Sequence, residues 1–162
     1  MRFKLVVVGD PMAGKTSMLR TLRARHEVLT LPEERTRLVD TSLLNFVDHE
    51  PAYCVDVVDF GGQDEYRVAQ RLFLTDHHSG NSRTVYCLVV AMDKDPSSES
   101  IASWLQCIHH TSSSPVPILV VASKVNLCEN QDVLGKRLQL LTSILKDHVI
   151  EEEVNLFDFM LL

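Results

Sequence analysis

Long apolar runs alternate with amphipathic segments along the chain. Phe3–Val8, Thr84–Met92 and Val116–Ala122 are almost continuously hydrophobic. Runs of this kind are typical of strands that are buried on both faces, as in a parallel sheet covered by helices. Shorter apolar segments predict three further strands, at Leu43–Asp48, Tyr53–Asp59 and Val154–Phe157.

Helical periodicity occupies the segments between these strands. Asp132–Lys146 places leucines at positions 134, 138, 141 and 145, the stripe of a helix docked on a sheet. Within Asp93–His110, serines precede a helical apolar period, which predicts an N-capped helix with Trp104 in its core face. Two more helices are predicted at Lys15–Arg25 and, less regularly, at Asp64–Leu74.

Strands that alternate with helices predict an α/β fold. We expect six strands in a mostly parallel sheet with helices on both faces. The short link "HEPA", which contains Pro51, predicts one antiparallel edge hairpin. The sequence ends in "FDFMLL" without a segment for a final helix. We therefore expect residues 1–162 to form a single domain that is a fragment of a longer chain.

Composition narrows the class of protein. The 162 residues are 45% apolar and carry a net charge of −6, so no general basic field favours nucleic acid or an acidic membrane. No stretch is long and apolar enough to predict a transmembrane segment. The four cysteines form no C-x-x-C pair, which favours reduced thiols in a cytoplasmic protein.

A phosphate-loop motif follows the first strand. Gly9, Gly14, Lys15 and Thr16 satisfy G-x-x-x-x-G-K-S/T. The glycines let successive backbone N–H groups point at phosphate oxygens, and the following helix adds its positive N-terminal end. Lys15 is predicted to reach the β- and γ-phosphates and Thr16 to hold Mg²⁺. The alternative is a glycine turn with a surface lysine, but the flanking strand and helix favour the phosphate loop.

The third strand ends in "DFGGQDEY". An acidic residue at the carboxyl end of a strand beside a phosphate loop is placed to hold Mg²⁺, which gives Asp59 that role. Gly62 would let a backbone N–H approach the γ-phosphate, and Gln63 would orient an attacking water. A tight turn after an acidic strand end is the alternative when this segment is taken alone.

Together, "GDPMAGKTS" and "DFGGQDEY" resemble the Ras-like small GTPases, most closely the Roc domains of multidomain Roco proteins. The resemblance covers essentially the whole chain. It implies GTP or GDP as ligand with Mg²⁺, and protein effectors, neighbouring domains or a second copy in a homodimer as partners. It adds Met12, Ala13 and Ser17 to the residues around the nucleotide. It also places Thr36, in "ERTRLVD", at the position that senses magnesium and the γ-phosphate, with Thr41 as an alternative.

The segment that reads the base departs from the family pattern. Guanine readers carry N/T-K-x-D after the fifth strand, whereas this chain has Ser123, Lys124, Val125 and Asn126. An aspartate accepts from both guanine N1–H and the exocyclic amino group, but an amide accepts with one atom and donates with the other. We therefore expect weakened guanine recognition. The bulk of Pro11 and Met12 beside the γ-phosphate further predicts slow hydrolysis.

Three functions remain open from the sequence. The first is a GTP-binding switch that hydrolyses GTP slowly with Gln63 and Lys15 as its catalytic residues. The second is a pseudo-GTPase that acts as an interaction scaffold, which the altered base motif favours. The third is a phosphate-loop ATPase, which the missing guanine aspartate allows.

Overall fold

The computed structural model describes residues 2–24, 39–46, 53–61, 83–111, 117–152 and 155–161. The strands are β1 Arg2–Val8, β2 Val39–Phe46, β3 Tyr53–Phe60, β4 Arg83–Ala91, β5 Pro117–Ser123 and β6 Asn155–Leu161. The helices are α1 Lys15–Ala24, α2 Ser98–Thr111 and α3 Gln131–Glu152, with a short 3-10 turn at Val125–Leu127.

The sheet has the strand order β2-β3-β1-β4-β5-β6. Among the strands in the described ranges, β2 at the edge runs antiparallel to its neighbour, β3, and the other pairs are parallel. The predicted α/β class, with a mostly parallel sheet and one antiparallel edge, is therefore confirmed. Strand β2 begins four residues earlier than predicted, because Val39 and its successors pair with the end of β3. The "HEPA" link and the helix predicted at Asp64–Leu74 lie outside the described residues.

The sheet separates two hydrophobic clusters. Val6 and Val8 of β1 belong to the cluster that contains α2 and α3 residues, whereas Val7 belongs to the cluster of Met18 and Leu19 from α1. Successive side chains of a strand point to opposite faces, so α1 covers one face and α2 and α3 cover the other. This accounts for the continuous apolar runs of the central strands. None of the helices in the described ranges is long and apolar enough to cross a membrane.

The carboxyl ends of the parallel strands meet at one edge of the sheet. Val7 pairs with Asp59 of β3, Val8 lies opposite Leu88 of β4, and Ala91 at the end of β4 lies opposite Ser123 of β5. The loops that leave these strands are therefore neighbours, although they are far apart in sequence. In open α/β sheets this edge is where ligands bind.

Candidate functional site

The loop between β1 and α1 wraps closely around the end of the sheet. Gly9 has φ 140°, and a Cβ atom there would lie 2.3 Å from the carbonyl oxygen of Val89, so only glycine fits. Gly14 has φ 89°, and Met12 also takes a left-handed conformation, with φ 61°. The Ala13 amide donates to the Asp10 carbonyl (3.2 Å) and the Met18 amide donates to the Gly14 carbonyl (2.9 Å), which starts α1. The loop therefore curls directly into a helix N-terminus.

Lys15 lies inside the curve of this loop. Its side chain is buried, and Nζ donates to the carbonyl oxygens of Gly9 (2.9 Å) and Asp10 (2.8 Å). Burial lowers the pKa of the Lys15 ammonium to about 8, against the attraction of the Asp59 and Asp10 carboxylates. Burial removes the water that would stabilise the charged ammonium, and the negative charge of a bound phosphate would stabilise it instead. The Lys15 side chain is therefore buried against the loop and does not lie at the surface.

Thr16 and Asp59 meet at the start of α1 and the end of β3. Thr16 Oγ1 donates to Asp59 Oδ2 over 2.6 Å, and Asp59 is only 2% exposed. A hydroxyl and a carboxylate give the hard oxygen donors that Mg²⁺ prefers. The two residues predicted as magnesium ligands are therefore within reach of one ion, although they are 43 positions apart in sequence.

Several predicted site residues are not placed. Thr36, Gly62 and Gln63 lie outside the described residues, so their roles stay predictions. Thr41, the alternative to Thr36, lies in β2 opposite Val58 and is exposed. Ser17 lies half-buried in the first turn of α1. The described part of the site is therefore the phosphate loop, the pair of oxygen donors and the segment after β5.

The segment after β5 braces the phosphate loop. Ser123 is buried, and its hydroxyl donates to the Ala13 carbonyl (2.5 Å), with the Val90 carbonyl at 3.3 Å. Lys124 takes a left-handed backbone conformation, and its Nζ pairs with Asp93 over 2.8 Å. Asn126 is exposed in the following 3-10 turn. Of the three predicted base-site residues, Ser123 therefore supports the loop, Lys124 is half-buried and paired with Asp93, and Asn126 is exposed.

A cavity of about 420 Å³ lies between the phosphate loop and the start of α2. Pro11 and Met12 line it from the loop, and Ile101 and Trp104 line it from the helix. Met12 is 57% exposed, so its side chain is not packed into the core. Both bulky loop residues therefore border open space beside the site.

Sequence reasoning missed one connection at this site. The Asp10 carboxylate oxygen Oδ1 accepts hydrogen bonds from Ser100 Oγ and from Trp104 Nε1, the latter over 3.0 Å. Trp104 is core, as predicted, but its indole N–H also has a specific partner. Buried tryptophans usually find an acceptor for this N–H, and an acid in the phosphate loop was a candidate.

The loop after β4 is held by contacts from α3 and from the turn that precedes it. Arg137 of α3 donates from Nη1 to the Met92 carbonyl (2.7 Å) and from Nε to Asp95 (2.9 Å). Cys128 Sγ donates to the same Met92 carbonyl over 2.9 Å. These contacts fix the loop that carries Asp93, the partner of Lys124.

Comparisons of the sequence with known proteins identify a matching family and several relatives. The family model described as "Ras of Complex, Roc, domain of DAPkinase" matches residues 4–126. Cyclic GMP-binding protein C of Dictyostelium discoideum is 28% identical over 159 residues, which cover 88% of this chain and 6% of that protein. A Roc-COR-CHAT protease from an unknown prokaryotic organism is 26% identical, covering 76% of this chain and 13% of that protein. The Ras-like GTP-binding protein RhoL of Drosophila melanogaster is 32% identical, covering 76% of this chain and 60% of that protein.

Proposed function

Because the chain belongs to the Roc family of Ras-like GTP-binding domains, we propose that it is a guanine-nucleotide switch that binds GTP and GDP with Mg²⁺. One observation carries the proposal. The buried Lys15 ammonium and the Thr16–Asp59 pair lie at the same edge of the sheet, around a loop that only glycine at position 9 permits. This arrangement suits the phosphates of a nucleotide better than any other ligand class.

Each residue has a distinct task in the proposed reaction. Loop amides and Lys15 bind the β- and γ-phosphates and stabilise the charge that develops during phosphoryl transfer. Thr16 and Asp59 would hold Mg²⁺, which supplies further positive charge at the phosphate oxygens. Gln63 would orient the attacking water, and Thr36 and Gly62 would respond to the γ-phosphate. Loss of that phosphate would release the segments that carry them, which is the basis of a switch.

We propose that hydrolysis is slow. Proline at position 11 has no N–H to offer a phosphate, and Met12 stands 57% exposed beside the loop. Their bulk also obstructs an arginine supplied in trans, which accelerates hydrolysis in related switches.

A scaffold without turnover is the second candidate. Asn126 replaces the aspartate that would read guanine, and the Ser123 hydroxyl points to Ala13. In addition, Lys124 forms an ion pair with Asp93, so its ammonium has a partner without a nucleotide. A phosphate-loop ATPase is a third candidate that the altered base segment supports.

Nucleotide binding and turnover separate these candidates. The purified protein is titrated with labelled GTP, GDP, ATP and XTP in Mg²⁺ and again in EDTA, and phosphate release is then followed. Tight GTP binding that weakens in EDTA, with slow phosphate release, supports the switch. Preference for ATP supports the third candidate.

A matched pair of variants makes the titration specific. Lys15→Met should remove most of the affinity, whereas Lys136→Met, an exposed lysine of α3, should leave it unchanged. No binding at millimolar nucleotide would contradict the switch and leave the scaffold. Equal loss in both lysine variants would contradict the assigned phosphate site.

The wider context is also a proposal. The chain spans between 6% and 60% of the length of the relatives compared above. We propose that it works as one module of a longer protein, with neighbouring domains, effectors or a second copy as partners. A cytoplasmic location agrees with its four free cysteines.

A further inference from the structure

Asp10 is bonded through both its backbone and its side chain. Its carbonyl oxygen accepts from Lys15 Nζ (2.8 Å) and from the Ala13 amide (3.2 Å). Its carboxylate accepts from Ser100 and Trp104, which lie 90 and 94 positions away in sequence. Asp10 therefore connects Lys15, the lysine of the proposed phosphate site, to helix α2.

The helix end of this connection is well anchored. Ser100 and Trp104 are four residues apart, so they lie on the same side of α2. Trp104 is 3% exposed and belongs to the same core cluster as Ile101 and Leu105. The Ser97 hydroxyl accepts from the Ser100 amide over 3.2 Å, which caps the first turn. The two donors therefore occupy fixed positions relative to the sheet.

Hydrogen bonds connect the loop to the helix beside a cavity of about 420 Å³. Pro11 and Met12 of the loop line this cavity together with Ile101 and Trp104 of the helix. Both hydrogen bonds are accepted by the Asp10 carboxylate. They also carry charge, which makes them stronger than ordinary neutral hydrogen bonds.

We propose that Asp10 is a positioning residue through which α2 sets the location of Lys15 Nζ in the phosphate site. The inference rests on the proposed function, since it assigns Asp10 a role in phosphate binding. The carboxylate is held by α2, and the carbonyl of the same residue holds the ammonium. A displacement of the start of α2 therefore moves the acceptor of Lys15.

The test compares two serine variants of the same helix turn. Ser100→Ala removes a donor to Asp10, whereas Ser98→Ala makes the same change at an exposed serine and is the matched control. Ser100→Thr keeps the hydroxyl and is the rescue variant. Trp104→Phe removes the second donor independently.

Two measurements report on the position of the Lys15 side chain. The first is the NMR signal of the Lys15 Cε–Hε group in the nucleotide-free protein at fixed pH. The second is affinity for inorganic pyrophosphate, a probe without a base. We expect Ser100→Ala and Trp104→Phe to shift the signal and to weaken pyrophosphate binding by about threefold to tenfold. Ser98→Ala and Ser100→Thr should match the unaltered protein in both.

The outcomes separate this inference from the proposed function. Lower thermal stability in Ser100→Ala, with the Lys15 signal and pyrophosphate affinity unchanged, would show that Asp10 only supports the fold and would overturn the inference. If pyrophosphate binds to no variant, the proposed function fails, and the Lys15 signal alone decides the coupling. An equal shift in Ser98→Ala and Ser100→Ala would also overturn it.

Discussion

Thr16→Val should destabilise the folded protein and uncouple the site from Mg²⁺. Valine has almost the same shape as threonine, so it leaves no cavity but removes the hydroxyl that donates to Asp59 over 2.6 Å. A hydrogen bond to a charged group contributes about 1.5–3 kcal/mol. Because Asp59 is only 2% exposed, water cannot replace the lost donor easily, and we expect about 2 kcal/mol.

Chemical and thermal denaturation measure this loss. For a chain of this size, about 2 kcal/mol lowers the melting temperature by roughly 4–8 °C. In urea, the midpoint should fall while the slope of the unfolding free energy stays constant. Thr16→Val should also lose most of the Mg²⁺ dependence of GTP affinity, while Thr16→Ser, which keeps a hydroxyl, should retain it.

Thr142→Val is the matched control. Its hydroxyl donates to the Leu138 carbonyl of its own helix, α3, over 2.7 Å, so the change should cost little. A double-mutant cycle with Asp59→Asn should give a coupling energy of about 1–2 kcal/mol for the Thr16–Asp59 contact. A coupling energy near zero, or equal losses in the two valine variants, would refute the reasoning.

Three other predictions concern the base, the loop and the lysine. Asn126→Asp should raise the affinity for GDP by about tenfold and lower the affinity for XDP, since a carboxylate accepts from both guanine donors. Calorimetry measures both affinities, with Asn130→Asp as the control. Unchanged affinities would contradict the assigned base position. Gly9→Ala should destabilise the fold by about 3 kcal/mol, because the alanine Cβ would lie 2.3 Å from the Val89 carbonyl oxygen. An unaltered urea midpoint would contradict this close approach of the loop to β4. Pyrophosphate affinity should fall as pH rises through about 8, the value to which burial lowers the pKa of Lys15, since above that value binding must first protonate the amine. The decline approaches about tenfold per pH unit. Calorimetry across this range checks it, Lys15→Arg should remove the decline, and a flat curve for the unaltered protein contradicts it.

The ends of several elements depend on pairing that the local pattern does not reveal. Strand β2 was predicted at Leu43–Asp48 but occupies Val39–Phe46, because the polar residues Asp40 and Thr41 pair with β3. Helix α3 extends to Glu152, beyond the predicted end at Lys146. An edge strand needs backbone partners more than apolar side chains, so hydrophobicity located its centre poorly.

Some features of the candidate site could likewise be predicted from the sequence, and others depend on the tertiary structure. Gly9, Lys15 and Thr16 could be found from the sequence because a phosphate loop is continuous and its spacing is dictated by one turn and one helix N-terminus. The orientation of the Ser123 hydroxyl toward Ala13 could not, since both residues lie in segments joined only by the sheet. The sequence predicted that Ser123 lies beside the base, whereas in the structure its hydroxyl donates a hydrogen bond to the phosphate loop.

The sequence by itself determined the α/β class, the glycine-bounded loop that leads into α1 and the position of Asp59 near the end of a strand. Each follows from local periodicity or from a motif of fewer than ten residues. Only the tertiary structure decided that Asp10 joins Lys15 to Trp104, across 94 positions of sequence. That bond depends on where α2 packs against the sheet, and packing is set by contacts between distant segments rather than by the order of neighbouring residues.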